Sequence, residues 1–376
     1  MPTIRNARLL GGEPGDLHFH AGLIVPDARD DQVFDGTGLI VSPGFIDIQI
    51  NGGFGHDFTQ DPTTIWAVGA HLPRLGITSF APTIVTSPPE VTDLALDVVA
   101  HRRPADYRGA EVLGLHFEGP WISPEMHGAH NPDHISEPDP EVASRWLDSG
   151  MVRIVTLAPE RPGAFDLIEL LTRGRVEVSL GHTAADFATA RAAFRAGASL
   201  ATHLFNQMTP FAHRDPGVST AALLDAASCL LIVDGLHLAD GTVELAWRVL
   251  GEDRTILVTD AMAALGLGPG TYPLGNGPIT VGDDGPRTSD GRLAGSVVTP
   301  AGAMANLARV TGAAIPAVLR TVTGNPAKML GLGDRGSLEA GLRADLCLLD
   351  PNLDVVRTVV AGETLHGRNQ GPGSGV

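Results

Sequence analysis

Cysteine, lysine and long apolar runs are scarce in this 376-residue chain. Cys229 and Cys347 are the only cysteines, too few for a disulfide framework or a thiolate zinc site, which fits a reducing cytoplasm. Lys328 is the only lysine, so Schiff-base chemistry, or a metal bridge built on a modified lysine, would have to fall on that one side chain. No run of 18 apolar residues occurs, and the start carries Arg5 and Arg8 without an apolar stretch of signal-peptide length. Membrane spanning and secretion are therefore disfavoured. Positive charge is also short: 26 Lys+Arg face 43 Asp+Glu, a formal net charge of −17, which speaks against nucleic acid as a partner. What is present is 43% hydrophobic residues, 46 glycines and 14 histidines. That is enough for a large packed core, with imidazole as the leading functional nitrogen.

Eight short apolar runs, rich in β-branched residues and ending in a polar residue, recur along the chain: Phe45–Ile50, Ile77–Ile84, Val112–Phe117, Val152–Leu157, Val176–Leu180, Ser199–Thr202, Cys229–Val233 and Thr255–Val258. Near-continuous hydrophobicity is what strands buried on both faces require, and stretches such as Phe187–Ala196 and Val243–Leu250 show helical spacing. Eight parallel strands alternating with helices predict an α/β fold, a (β/α)8 TIM-like barrel over 43–334. The short strand-like pieces at both ends, 1–42 and 335–376, predict a small β-sandwich domain formed by the two termini. The Gly- and Asp-rich stretch Leu265–Gly291 predicts a hairpin-like excursion, and Asn369–Val376 a disordered tail.

In a barrel of this kind, chemistry gathers just after the strands. Run 3 ends in His116-Phe117-Glu118, run 5 is followed by Gly181-His182-Thr183, run 6 leads into Thr202-His203-Leu204, and run 8 into Thr259-Asp260-Ala261. Glu118, His182, His203 and Asp260 are thus expected around one mouth. Two neutral imidazoles and a carboxylate form a common catalytic zinc set with one position open to water, and Asp260 stands where a general base is needed. For any one histidine the plainer reading is a strand cap or a satisfied polar core group; four candidates at four strand ends weigh against it. Trp121 and Phe205, beside these motifs, suit either stacking on substrate or core packing. Gly52-Gly53 lacks the context of a phosphate loop and reads as a turn.

The stretch Pro43-Gly44-Phe45-Ile46-Asp47-Ile48-Gln49-Ile50-Asn51-Gly52-Gly53 resembles the amidohydrolase superfamily, and within it the deacetylases of phosphorylated amino sugars. The resemblance extends through His116-Phe117-Glu118-Gly119-Pro120-Trp121, Gly128-Ala129-His130-Asn131-Pro132, Thr202-His203-Leu204-Phe205-Asn206, Asp234-Gly235-Leu236-His237, Leu257-Val258-Thr259-Asp260-Ala261 and Leu293-Ala294-Gly295-Ser296. Many members have His-x-His where this chain has Gln49 and Asn51. Amides are poor zinc ligands, so the second-metal positions are vacated and one divalent ion per subunit is expected, zinc first, with iron, cobalt or manganese compatible with the same donors.

By similarity, Glu118, His182 and His203 are the metal ligands and Asp260 the catalytic acid and base. The Gly128-Ala129-His130 loop contacts the sugar through Ala129 and His130, with His130 polarising the acetyl carbonyl. Arg214 and His237 match a phosphate-binding pair that one subunit of a homodimer can supply to its neighbour, and Arg suits phosphate through its planar fork. Asn206, Gln207, Leu293, Ala294 and Gly295 match further substrate contacts. The resemblance implies metal-dependent deacetylation of N-acetyl-D-glucosamine 6-phosphate to D-glucosamine 6-phosphate and acetate, in the cytoplasm, without nucleic-acid or membrane partners. The alternatives are a related amidohydrolase acting on N-acetylgalactosamine 6-phosphate or a cyclic amide, and a non-catalytic structural homologue.

Overall fold

A computed structural model of the chain describes residues 2–27, 32–275 and 277–367; the tail Asn369–Val376 lies outside the described residues. Eight parallel strands follow one another in chain order: β1 (Phe45–Ile50), β2 (Ile77–Val85), β3 (Leu115–Glu118), β4 (Val152–Leu157), β5 (Glu177–Leu180), β6 (Leu200–Ala201), β7 (Ser228–Leu231) and β8 (Thr255–Leu257). The ring closes beyond β8, where Ile50 bridges Ala261 in parallel. There the Asn51 N–H donates to the Ala261 carbonyl (2.7 Å) and the Asp260 N–H to the Gln49 carbonyl (2.9 Å).

Each strand is followed by a helix: α1 (Ile65–His71), α2 (Pro89–His101), α3 (Pro140–Ser149), α4 (Ala164–Arg173), α5 (Phe187–Ala196), α6 (Gly217–Asp225), α7 (Asp240–Arg254) and α8 (Pro300–Thr311). Local chemistry sets their limits. Asp139 caps α3 by accepting from Glu141 N–H and Val142 N–H, with Pro140 at the first position and Gly150 in the left-handed conformation at the end. The expected barrel is therefore present, with one local difference. The run Val112–Phe117 is not continuous: Glu111–Val112 forms a short bridge to β2, and β3 begins only at Leu115. Gly114 makes the break, with φ +121° and a position where a Cβ would lie 2.6 Å from the Met151 carbonyl oxygen.

The core has two layers. Ile46, Ile48, Ala81, Ile154, Leu200, Leu230, Ile256 and Val258 cluster inside the strand ring. A larger cluster packs the outer strand faces against the helices, with Phe117 (4.3 Å between ring centroids) and Trp121 (4.7 Å) both stacked on Trp146. Burying such aromatics contributes about 2–3 kcal/mol each.

The chain ends meet in one eight-stranded mixed sheet. Pro2–Leu9, Pro14–His20, Leu23–Val25, Gln32–Asp35 and Ile40–Pro43 are joined by Leu346–Leu349, Val355–Val360 and Glu363–Gly367, with Leu346–Leu349 antiparallel to Ile40–Pro43. This sheet has its own apolar cluster, including Ile4, Leu17, Phe19, Val41, Leu346 and Val359. The excursion after β8 is a three-stranded antiparallel sheet, Gly270–Leu274, Gly277–Gly282 and Gly285–Arg287. It packs Leu274, Ile279 and Val281 on Met262 and Ala294, which brings the segment after it back to the barrel mouth. No helix among the described residues is long and apolar enough to cross a membrane.

Candidate active site

Glu118 ends β3, and His182, His203 and Asp260 stand just beyond β5, β6 and β8. Three of these four sit on backbone that L-residues rarely adopt, with φ of +48° at His182, +27° at His203 and +47° at Asp260. Such conformations cost about 1–3 kcal/mol each and persist where surrounding structure enforces them. Here the enforcement is visible: Ser123 N–H donates to the His182 carbonyl, and Asp260 is tied on both sides, to the Gln49 carbonyl through its N–H and to Ser296 N–H through its carbonyl.

The side chains converge. Glu118 Oε1 lies 3.2 Å from His182 Nε2 and 3.0 Å from His203 Nε2, and the two Nε2 atoms are 3.1 Å apart. All three residues are buried. His182 Nδ1 is 2.8 Å from the Met126 carbonyl. A carbonyl only accepts, so the proton sits on Nδ1 and the Nε2 lone pair faces the Glu118 oxygen. Two acceptors held 3.2 Å apart away from water call for a cation between them. Burial pushes the Glu118 carboxyl up, but the imidazoles of His182 and His203 beside it hold it well below the usual range. Burial lowers His203, and the hydrogen bond and charge of Glu118 more than reverse this, leaving it raised.

Asp260 is linked to the amides of β1. Asn51 Nδ2 donates to Asp260 Oδ1 at 2.8 Å, and Gln49 Nε2 lies 3.2 Å from the same oxygen and 3.3 Å from Glu118 Oε1. The two amides thus turn their donors toward the two carboxylates, which leaves Gln49 Oε1 and Asn51 Oδ1 buried without hydrogen-bond partners among the described residues. Burial, followed by the charge of Glu118, raises the Asp260 carboxyl to about 6, close to where a general base for neutral pH is best poised.

A cavity of about 320 Å3 opens over these groups, at the lower end of the range for small-molecule sites. Its wall includes Asn51, Glu118, His182, His203 and Asp260, and also Ala129 and His130. Asn206, Gln207, His237, Leu293, Ala294 and Gly295 line it as well. Gly128 lets its loop approach closely, since a Cβ there would lie 3.2 Å from His182 Cε1. Thr86 N–H points at His130 Nδ1 (3.4 Å), with the Thr86 hydroxyl 2.8 Å away. Nδ1 is therefore an acceptor and the proton belongs on Nε2. Burial holds His130 well below the usual histidine range, so the ring is neutral. His237 Nδ1 is 2.7 Å from Asp234 Oδ2.

Arg214 behaves differently. It is exposed, in the loop after Met208, and does not line its own subunit's cavity. Neither do Phe205, which packs against the core, nor Trp121, which is buried on Trp146; of the two readings of these aromatics, core packing is the one seen. His116 bonds to Thr156 Oγ1 (2.7 Å) inside the barrel. Gly52–Gly53 pairs with His56–Asp57 in a tight hairpin, the expected turn. Lys328 is exposed and off the cavity. Two charged lining residues carried no signal in the sequence, Arg287 and Arg292: an arginine in a Gly- and Asp-rich excursion does not disclose which way the excursion folds.

The model of the Amidohydrolase family matches residues 40–365. An N-acetylglucosamine-6-phosphate deacetylase from Lysinibacillus sphaericus is 38% identical over 336 residues, 87% of this chain and 86% of the relative. An N-acetylgalactosamine-6-phosphate deacetylase from Escherichia coli O157:H7 is 36% identical, over 86% of this chain and 87% of its own. Among solved structures, N-acetyl-D-glucosamine-6-phosphate deacetylase from Mycobacterium smegmatis, a mutant in complex with N-acetyl-D-glucosamine-6-phosphate, superposes with a TM-score of 0.87 at 34% identity, covering 97% of this chain and 98% of that one. The closed parallel barrel agrees with that solved structure, and the chain belongs to the amidohydrolase family, in the branch of its N-acetylglucosamine-6-phosphate deacetylases.

Proposed function

We propose that this hydrolase removes the acetyl group of N-acetyl-D-glucosamine 6-phosphate, giving D-glucosamine 6-phosphate and acetate, and that Glu118, His182 and His203 hold one divalent metal ion. The observation that carries the reading is the meeting of three buried donor atoms at 3.0–3.2 Å, with Asp260 beside them. A second grouping, Glu118 with His130 and His182, has donor atoms within 4.8 Å of one another. It is the weaker ligand set, because Thr86 N–H on His130 Nδ1 leaves the proton on Nε2, where a metal would need a lone pair. Zinc suits the nitrogen and carboxylate donors, as do iron, cobalt and manganese. The amide donors of Gln49 and Asn51, turned toward the carboxylates, support one ion in place of two.

A bound ion would supply Lewis acidity and lower the pKa of a water molecule. The protein's own groups do the rest. Asp260 takes the proton of the attacking water and returns it to the departing nitrogen. His130, neutral and protonated on Nε2, donates to the acetyl carbonyl oxygen as charge builds there. His237, held by Asp234, faces the sugar phosphate. Exposed Arg214, with Phe211 three residues before it 64% exposed, supports a homodimer in which this loop reaches the neighbouring mouth. Both cysteines are free and buried, in keeping with a cytoplasmic enzyme.

Acetate release from N-acetylglucosamine 6-phosphate, measured with and without a chelator, tests the reading. Turnover after metal removal, or wild-type rate in Asp260→Asn, would overturn it. The galactosamine epimer is the second reading, favoured by the relative that carries that name; a higher kcat/KM on that epimer would put it first.

A further inference from the structure

Resting on the proposed substrate, we propose that Arg292, with Arg287 beside it, is a specificity-determining cationic wall that each subunit supplies to its own mouth to bind the phosphate of the sugar. These two are the only Arg or Lys side chains lining the cavity among the described residues. They reach it by an indirect route. The excursion ends in Gly285–Arg287, Arg287 bridges Leu293, and Ala294 N–H donates to the Pro286 carbonyl. Pairing in this way folds the turn between them, 288–292, over the mouth.

The arginines are oriented but not saturated. Arg287 Nη1 donates to the Gly291 carbonyl (2.8 Å) and has no carboxylate partner among the described residues. Arg292 Nε lies 3.1 Å from Asp290 Oδ2, and its Nη1 reaches the Gly128 carbonyl at 3.4 Å. A guanidinium has five N–H donors in a rigid fork, so both side chains keep donors for a phosphate. Gly128 also lies beside His182, close enough that a Cβ on it would be 3.2 Å from His182 Cε1. Arg292 is therefore one loop away from the donor cluster, as a sugar with its acetamido group at one end and its phosphate at the other requires.

The electrostatics favour such a wall. A chain of net charge −17 repels a phosphate monoester at long range and must attract it locally. Arg214 is absent from its own subunit's cavity, so Arg287 and Arg292 are the guanidinium groups that each chain offers to its own mouth, beside the Arg214 proposed to come from the partner subunit. The excursion thus sets preference for a phosphorylated sugar, and Arg292→Ala is expected to act on that preference.

The test compares kcat/KM for N-acetylglucosamine 6-phosphate and for N-acetylglucosamine in wild type, Arg292→Ala, Arg292→Lys and Arg287→Ala. Losing a charge-assisted hydrogen bond to phosphate should cut the preference for the phosphorylated sugar about 10- to 100-fold in Arg292→Ala, with Lys restoring part of it. Calorimetric binding of glucosamine 6-phosphate against glucosamine should show the same change. An equal loss for both sugars, as expected if Arg292 merely braces Gly128, or no loss at all, overturns the inference. Absence of acetate release from the phosphorylated sugar in wild type would instead overturn the proposed substrate, and the binding comparison would still decide the role of Arg292.

Discussion

Arg214 can be placed by subunit mixing, because its position makes a quantitative demand. It is exposed and lies outside the cavity of its own subunit, whereas Asp260 lies inside it. If Arg214 of the partner subunit completes each mouth, Arg214→Ala and Asp260→Asn impair different mouths of a hybrid dimer. In the hybrid, the subunit with intact Asp260 faces a partner with intact Arg214 and is whole, while the other mouth carries both defects. Removing Arg214 should raise KM about 10- to 100-fold, the worth of a charge-assisted hydrogen bond to phosphate. Removing the base should lower kcat about 100- to 10,000-fold. Random pairing of equal amounts makes half the dimers hybrid, each with one of two mouths restored, so the mixture should recover about a quarter of wild-type activity at subsaturating substrate. Co-expression with two affinity tags and sequential purification isolates the hybrid, which should reach about half. Activity no higher than the sum of the parents would refute supply across the interface.

Elemental analysis of the purified protein should find about one equivalent of divalent metal, and Glu118→Gln or His182→Asn should lose most of it; two equivalents would remove the argument from Gln49 and Asn51. Asp57 is buried and raised by burial to about 6 from an ordinary value near 3.8. The fold therefore favours its protonated form, and that stabilisation is complete below about pH 3.8 and lost as pH rises through 6. Asp57→Asn cannot ionise, so its unfolding free energy relative to wild type should move by about 2 kcal/mol in its favour between pH 4 and pH 7.5, read by denaturant titration; a constant difference would contradict the shift. In the aromatic cluster, Trp146→Ala should cost about 3–5 kcal/mol. Trp146→Phe should cost less than half of that, since the indole Nε1 has no hydrogen-bond partner among the described residues.

Much of this architecture is legible before folding. A strand buried on both faces has to be apolar along its length, and the eight apolar runs coincide with β1–β8 to within a few residues. The third run misleads because hydrophobic composition continues through Leu113 while the backbone does not. Gly114 turns with positive φ against the Met151 carbonyl, and composition has no way to register a steric contact with a residue far along the chain. The gathering of Glu118, His182, His203 and Asp260 is legible for the same reason as the barrel: once strands run parallel in chain order, their ends must share one face.

Side-chain direction belongs to the tertiary structure. Trp121 and Phe205 flank the motifs, yet Trp121 turns away into the core on Trp146, because packing decides which side of a chain faces inward. The tautomers of His182 and His130 follow from the Met126 carbonyl and from Thr86 N–H, neither of which any motif spacing contains.

By itself the sequence determined the barrel, the family and the residue types at one mouth, since these follow from periodicity and from residues adjacent in the chain. Only the tertiary structure decided which of this subunit's own arginines line that mouth. Arg214 stands outside its own cavity while Arg287 and Arg292 stand within it, because the excursion after β8 buries Leu274, Ile279 and Val281 against the barrel top and carries its arginines over the opening. Apolar burial at one end of that segment fixes charge at the other, and such a coupling exists only once the chain has folded.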